Sequence, residues 1–189
     1  MIFYHGSPLR DLNVLRPFLS EHQKPLVYLS TRKPVAAFYL CKRPYMWHTY
    51  GFLDDGTPVY TETYPGQLED FYGDLAGALY TCEGEYPALN PTGIACAAVS
   101  EEPVPVSACE PVDDALELLL RFEREGSLHL RRYETLTADQ RAANDRMMLS
   151  AIRHHRLLEG VHPLAAFVRE RFPSLWAQAE REGEARESG

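Results

Sequence analysis

The chemistry-bearing residues of this chain fall into three short stretches. Tyr4-His5-Gly6-Ser7 sets an imidazole beside a residue without a side chain and a hydroxyl, so a ligand can approach bare backbone next to a group that holds a proton. Val27-Tyr28-Leu29-Ser30 is followed by Pro34-Val35-Ala36-Ala37-Phe38-Tyr39, which puts Tyr28 and Tyr39 eleven positions apart. Two such rings can converge on one crevice and hold a flat heterocycle by offset stacking. Ser100-Glu101-Glu102-Pro103 sets two carboxylates before an apolar run. A carboxylate at a strand start can accept a hydrogen bond from a ribose hydroxyl and stabilise positive charge developing at an anomeric carbon. Each stretch also has a plain structural reading: a packed strand-end histidine, two of 11 tyrosines filling a strand–helix joint, and a solvated acidic turn.

The elements that must position these residues change character near residue 111. Before it, short apolar stretches alternate with Gly, Pro and Asp, the pattern of strands and short helices. Ile2 to Tyr4, Leu26 to Leu29, Ala78 to Cys82, Ile94 to Val99 and Val104 to Cys109 read as strands, the last pushed towards a sheet edge by Pro103 and Pro105. Pro34 to Cys41 and Gln67 to Tyr72 read as helices, the first opened by proline. After the Asp54-Asp55-Gly56 turn, Val59, Thr61 and Thr63 alternate with Tyr60, Glu62 and Tyr64, which with Glu69 and Asp70 could line a groove. Beyond Pro111, Val112, Ala115, Leu116, Leu119, Leu120 and Phe122 recur at helical spacing up to Gly126. Thr137 with Gln140 three residues on is a capping box, opening a helix to about His155 or Leu158. His162-Pro163 opens another through Arg171, Trp176 docks a last turn, and Glu180 to Gly189 is expected to fray. The expected division is therefore a sheet-containing core over 1–112 and a helical extension over 113–189, packed on it.

In chain order, His5-Gly6-Ser7 after a first strand, Tyr28 in a second with Tyr39 following, and Glu102 before a late strand resemble the ADP-ribosyltransferase fold. The likeness is to its His-Tyr-Glu class, that of diphtheria toxin and the poly(ADP-ribose) polymerases, and it covers roughly residues 1–112. Gly77-Ala78-Leu79-Tyr80-Thr81-Cys82-Glu83 is similar to a further strand of that fold. The resemblance implies an α+β protein with a split β-sheet core, and NAD as a substrate with no metal. It implies His5 on a ribose hydroxyl, the Gly6 backbone on the nicotinamide amide, Tyr28 and Tyr39 around the nicotinamide ring, and Ser7 and Ser30 in the same binding set. Glu102, or Glu101 in its place, would bond the nicotinamide-side ribose and favour an oxocarbenium-like transition state, with His5 and Tyr28 completing the catalytic set. The implied activity is transfer of ADP-ribose to an acceptor, a protein among the options. A binding module without chemistry on the same fold is the alternative. The RNA 2′-phosphotransferase branch ranks last, because Arg10 is the one cation near His5 in the sequence.

Composition agrees with a globular enzyme or binding domain: 189 residues, 45% hydrophobic and 24% charged. A formal charge of −8, from 27 acidic and 19 basic residues, disfavours phosphate-backbone binding. Arg131-Arg132 and Arg153 to Arg156 read as solvated helix faces. No apolar run approaches the roughly 18 residues of a membrane span, and Met1 to His5 lacks the features of a signal peptide. A soluble, cytoplasmic protein is expected. Cys41, Cys82, Cys96 and Cys109 form no Cys-x-x-Cys pair and are expected as buried free thiols. His154, His155 and His162 lack the spacing of a metal site, and no Gly-x-Gly-x-x-Gly supports a Rossmann site.

Overall fold

A computed structural model describes residues 1–19, 24–41, 49–88, 94 and 96–187. In chain order the elements are β1 (Ile2–Ser7), β2 (Val14–Leu15), β3 (Phe18–Leu19), β4 (Pro25–Ser30), α1 (Lys33–Phe38), β5 (Thr49–Phe52), β6 (Pro58–Thr61), α2 (Gln67–Tyr72), β7 (Gly77–Glu83) and β8 (Ala97–Ser100). They continue with β9 (Val104–Pro105), β10 (Ala108–Val112), α3 (Ala115–Arg124), β11 (His129–Arg131), α4 (Ala138–His154), α5 (Leu164–Arg171) and α6 (Pro173–Glu187), with 3-10 turns at Tyr133–Thr135 and Leu157–Glu159. The class is α+β with antiparallel sheets. The described residues of Met1–Lys42, Tyr50–Tyr60 and Leu68–Leu130 form one compact unit, and those of Arg43–Thr49, Thr61–Gln67 and Arg131–Gly189 a second. The division expected at residue 112 falls inside the first unit, which keeps α3.

The first unit is organised by a sheet of order β10-β7-β1-β4-β3, with β8 also on β4. β1 pairs with β7 along its whole length, from Ile2↔Glu83 to Ser7↔Ala78. β1 and β4 meet at Tyr4↔Ser30, and β8 runs along β4 from Ser30↔Ala97 to Val27↔Ser100. Side chains alternate between faces of a strand, and antiparallel partners share one. Phe3, Val27, Leu29, Ala78, Tyr80, Cys82 and Ala98 therefore gather on one side, where Leu15 and Val104 from the β2–β9 ladder complete a buried cluster.

The other side of β1 receives α1, whose Pro34, Val35, Ala36, Ala37 and Phe38 are all buried. Burial of one such large apolar side chain contributes roughly 1.5–3 kcal/mol. Phe38 packs against Tyr60 at 5.4 Å, Tyr60 lies 6.2 Å from Tyr72, and the Tyr72 hydroxyl donates to the Phe38 carbonyl at 3.1 Å.

In the second unit, Thr137 and Gln140 form the reciprocal capping box that opens α4. Tyr64 packs between Phe167 at 5.9 Å and Phe172 at 5.6 Å. Glu62, only 1% exposed, accepts the Tyr133 N–H at 2.8 Å and lies 3.3 Å from Arg132 Nη1. The alternation expected through Tyr64 thus stops at Thr61. Gln67 Oε1 accepts the Thr63 N–H at 2.6 Å and turns the chain, so Glu62, Thr63 and Tyr64 are buried and line no open groove.

Three other expectations are corrected. The strand expected over Val104 to Cys109 is two elements, β9 and β10, because Pro105 offers no N–H and the ladder passes to Ser107, whose N–H reaches Thr81 O at 2.8 Å. Val112 ends β10, and α3 begins at Ala115 because the Asp114 side chain accepts the Glu117 N–H at 2.8 Å. Helix α6 runs to Glu187; within it Glu182 is paired with Arg153 and bonded by Gln178 Nε2 at 2.9 Å, and Trp176 Nε1 donates to Glu180 at 2.8 Å. The expected strand Ile94 to Val99 begins at Ala97; residue 95 within it, like residues 188 and 189 of the tail, lies outside the described residues.

Candidate functional site

His5 reaches the backbone of Tyr28 because β1 and β4 meet at Tyr4↔Ser30, a register that sets the two side chains on opposite faces of the sheet. The His5 Nδ1 lies 2.8 Å from the Tyr28 carbonyl oxygen, which can only accept, so Nδ1 carries the hydrogen. In the neutral ring Nε2 is then the acceptor, the form suited to receive a hydroxyl proton. The Tyr28 ring is half-buried and alternates away from Val27 and Leu29. It packs on Phe18 of β3 with centroids 5.7 Å apart, a diagonal pair that follows from Phe18↔Leu26.

The neighbouring residues have identifiable local duties. A Cβ on Gly6 would lie 2.1 Å from the Ala36 carbonyl oxygen, so this glycine is what lets α1 cross β1. The Ser7 hydroxyl accepts the Leu9 N–H at 3.2 Å. The Ser30 hydroxyl accepts the Arg32 N–H and donates to the Arg32 carbonyl, both at 3.0 Å, forming the turn that enters α1. Tyr39 is the residue that closes α1, and its hydroxyl lies 3.2 Å from that of Tyr50. Burial, and then the proximity of Tyr39, push the Tyr50 hydroxyl far above the usual tyrosine range, so it stays protonated.

The two carboxylates lie elsewhere on the sheet. β8 runs antiparallel to β4, with its start beside Ser30 and its end beside Val27. Glu101 and Glu102 follow that end, in an exposed bend where the Ser100 hydroxyl accepts the Glu102 N–H at 3.1 Å. Glu101 sits 3.6 Å from Lys24, just before β4 begins. From Tyr28 back to Pro25 is roughly 10 Å along the strand. Among the described residues, neither carboxylate has a hydrogen bond or ion pair to His5 or Tyr28.

The sequence reading missed a third carboxylate. Glu110 on β10 is paired with Lys33 of α1 and with Arg121 of α3, the latter at 3.1 Å, and Lys33 also lies 6.0 Å from the Tyr4 ring centre. Burial works to raise the Glu110 carboxyl, but the hydrogen bonds and charges of Lys33 and Arg121 outweigh it and hold the group below the usual range. Alternation with the buried Val112 put Glu110 on the α1 side; its partners come from 77 positions before it and 11 after, and no local pattern shows them.

Three thiols are buried, and burial pushes Cys82 up to about 11; Cys109, on the edge strand β10, is exposed, against expectation. Among the described residues no group of three His, Cys, Asp or Glu could hold a metal ion, and no helix is long and apolar enough to cross a membrane. Compared with family models, curated proteins and solved structures, the chain matches none.

Proposed function

We propose that this chain is an ADP-ribosyltransferase-like protein that binds NAD beside the meeting point of β1 and β4 and transfers its ADP-ribose to an acceptor, releasing nicotinamide. The observation that carries this reading is the bond from His5 Nδ1 to the Tyr28 carbonyl: it joins the first two motifs and fixes the orientation of the imidazole. Tyr28 and Tyr39 flank the nicotinamide ring. Glu102, or Glu101, is the carboxylate that stabilises positive charge at the anomeric carbon as nicotinamide departs and the acceptor oxygen or nitrogen attacks.

A second reading, NAD or nucleotide binding without transfer, is favoured by the position of Glu101 and Glu102 at the Val27 end of β8. Calorimetry with NAD and detection of released nicotinamide in the same sample separate the two. Transfer predicts binding with release that falls at least about a hundredfold in Glu101→Gln/Glu102→Gln, with binding kept. Binding with no release in the wild type supports the second reading. Wild-type NAD binding that survives unchanged in His5→Ala removes both.

A further inference from the structure

His154 and His155, at the end of α4, and His162, before α5, stand outside the reading above. Their rings form a row: centroids are 4.8 Å apart for His154 and His155, and 5.1 Å for His155 and His162 with planes tilted by 37°. His162 Nδ1 accepts the N–H of Leu164, the first residue of α5, at 3.1 Å, and the His162 carbonyl accepts the Ala165 N–H at 2.9 Å. The N-cap residue Pro163 has no side-chain cap bond, so it is His162, one residue before it, that takes up these first N–H groups of α5. That role requires a lone pair on Nδ1.

The charged groups brought to this corner are already matched. Arg153 on α4, Arg156 and Glu159 at the Leu157–Glu159 turn, and Glu182 on α6 line one pocket of ≈ 260 Å³, where Arg153 pairs with Glu182 and Arg156 with Glu159. Arg169, Glu170 and Arg171 of α5 are five or more residues beyond Leu164, roughly 7 Å or more along the axis. Among the described residues no carboxylate forms an ion pair with any of the three imidazoles.

We propose that the His154–His155–His162 row is an acid-sensitive latch on the start of α5, closed while His162 is neutral and released when the row takes up protons. A second proton turns His162 Nδ1 from acceptor to donor, and the Leu164 N–H loses its partner. The new charge sits at a helix N-terminus, where the dipole opposes it, whereas His154 and His155 sit at a C-terminus, where the dipole accommodates a cation. An imidazolium at His155, 5.1 Å away, then repels one at His162.

Amide exchange of the full chain, corrected for the intrinsic pH dependence of exchange, tests this in neutral and in mildly acidic buffer, at about pH 7.5 and about pH 5.5. The start of α5 is expected to lose protection on the order of tenfold at the lower pH, the change a lost cap produces. His162→Asn, whose side-chain oxygen accepts without titrating, is expected to hold the same protection at both. His155→Gln is expected to narrow the loss. Wild-type protection that ignores pH, or a wild-type-sized loss in His162→Asn, overturns the latch. Should His162→Asn not fold by circular dichroism, an undiminished loss in the exposed-site variant His155→Gln overturns it.

Discussion

An imidazole stands beside one end of β4 and two carboxylates beside the other, and the two are held very differently. At the Ser30 end, His5 is fixed by a bond to the Tyr28 carbonyl, β1 is fixed by β7, and α1 lies against Gly6 so closely that a methyl group has no room. At the Pro25 end, Glu101 and Glu102 stand in an exposed bend with one surface ion pair whose partners are each 69% exposed. An exposed pair of that kind contributes about 0–1 kcal/mol and imposes little geometry. Preorganised groups stabilise a transition state because they need not rearrange. The comparison teaches that the binding half of the proposed site is built into the sheet, while its carboxylate half stands in an exposed bend pinned only locally, by the Ser100 hydroxyl on the Glu102 backbone.

The sharpest way to break the comparison is Gly6→Ala. Its Cβ meets backbone 2.1 Å away, so β1 and α1 must separate, and a loss of about 3 kcal/mol or more is expected in chemical denaturation. A loss below about 1 kcal/mol would show that the Ser30 end is pliable after all. Glu62→Ala calibrates what a truly built-in carboxylate contributes: it removes the acceptor of the Tyr133 N–H and one partner of Arg132, and about 3 kcal/mol is expected to go. His5→Ala is expected to cost about 1 kcal/mol of stability, from one partly buried hydrogen bond, and to weaken NAD binding at least about tenfold by calorimetry.

Smaller effects separate Glu110 from Glu101. Glu110 is held below its usual range, so its ion pairs stabilise the fold above the ordinary value of 4.5, and that contribution is lost as pH falls through the lowered one. Glu110→Gln is expected to lower stability at neutral pH by a few tenths of a kcal/mol to about 1 kcal/mol, discounted for its partial exposure, and to flatten the acid limb of a stability-against-pH curve. Glu101→Gln is expected to change neither by more than about 0.3 kcal/mol. Equal responses from the two would erase the distinction between a framed carboxylate and a free-standing one.

Much of this was legible residue by residue. Thr137 and Gln140 announce α4 because both halves of a capping box lie within one turn. Pro34 at the start of α1, the helix over Gln67–Tyr72 and the strand around Ala78 to Cys82 were visible for the same reason: the forces that specify them act between near neighbours. The short ladder of Val14–Leu15 with Val104–Pro105 was not visible, since two residues carry no periodicity. Nor was the turn that buries Glu62, which is made by a glutamine side chain.

By itself the sequence determined the α+β class, the helical character of the C-terminal part, and the local setting of His5-Gly6-Ser7 and of Tyr28, each in or at the end of a strand. All of these follow from propensity, capping and alternation over a few residues. Only the tertiary structure decided that β8 runs antiparallel to β4, and with that direction it decided that Glu101 and Glu102 emerge beside Lys24 rather than beside Ser30. It also decided that Glu110 is the carboxylate with two cations around it, and that His155 and His162 stack. Strand direction and partner choice are settled by contacts between residues far apart in the chain, whose energies no local window contains.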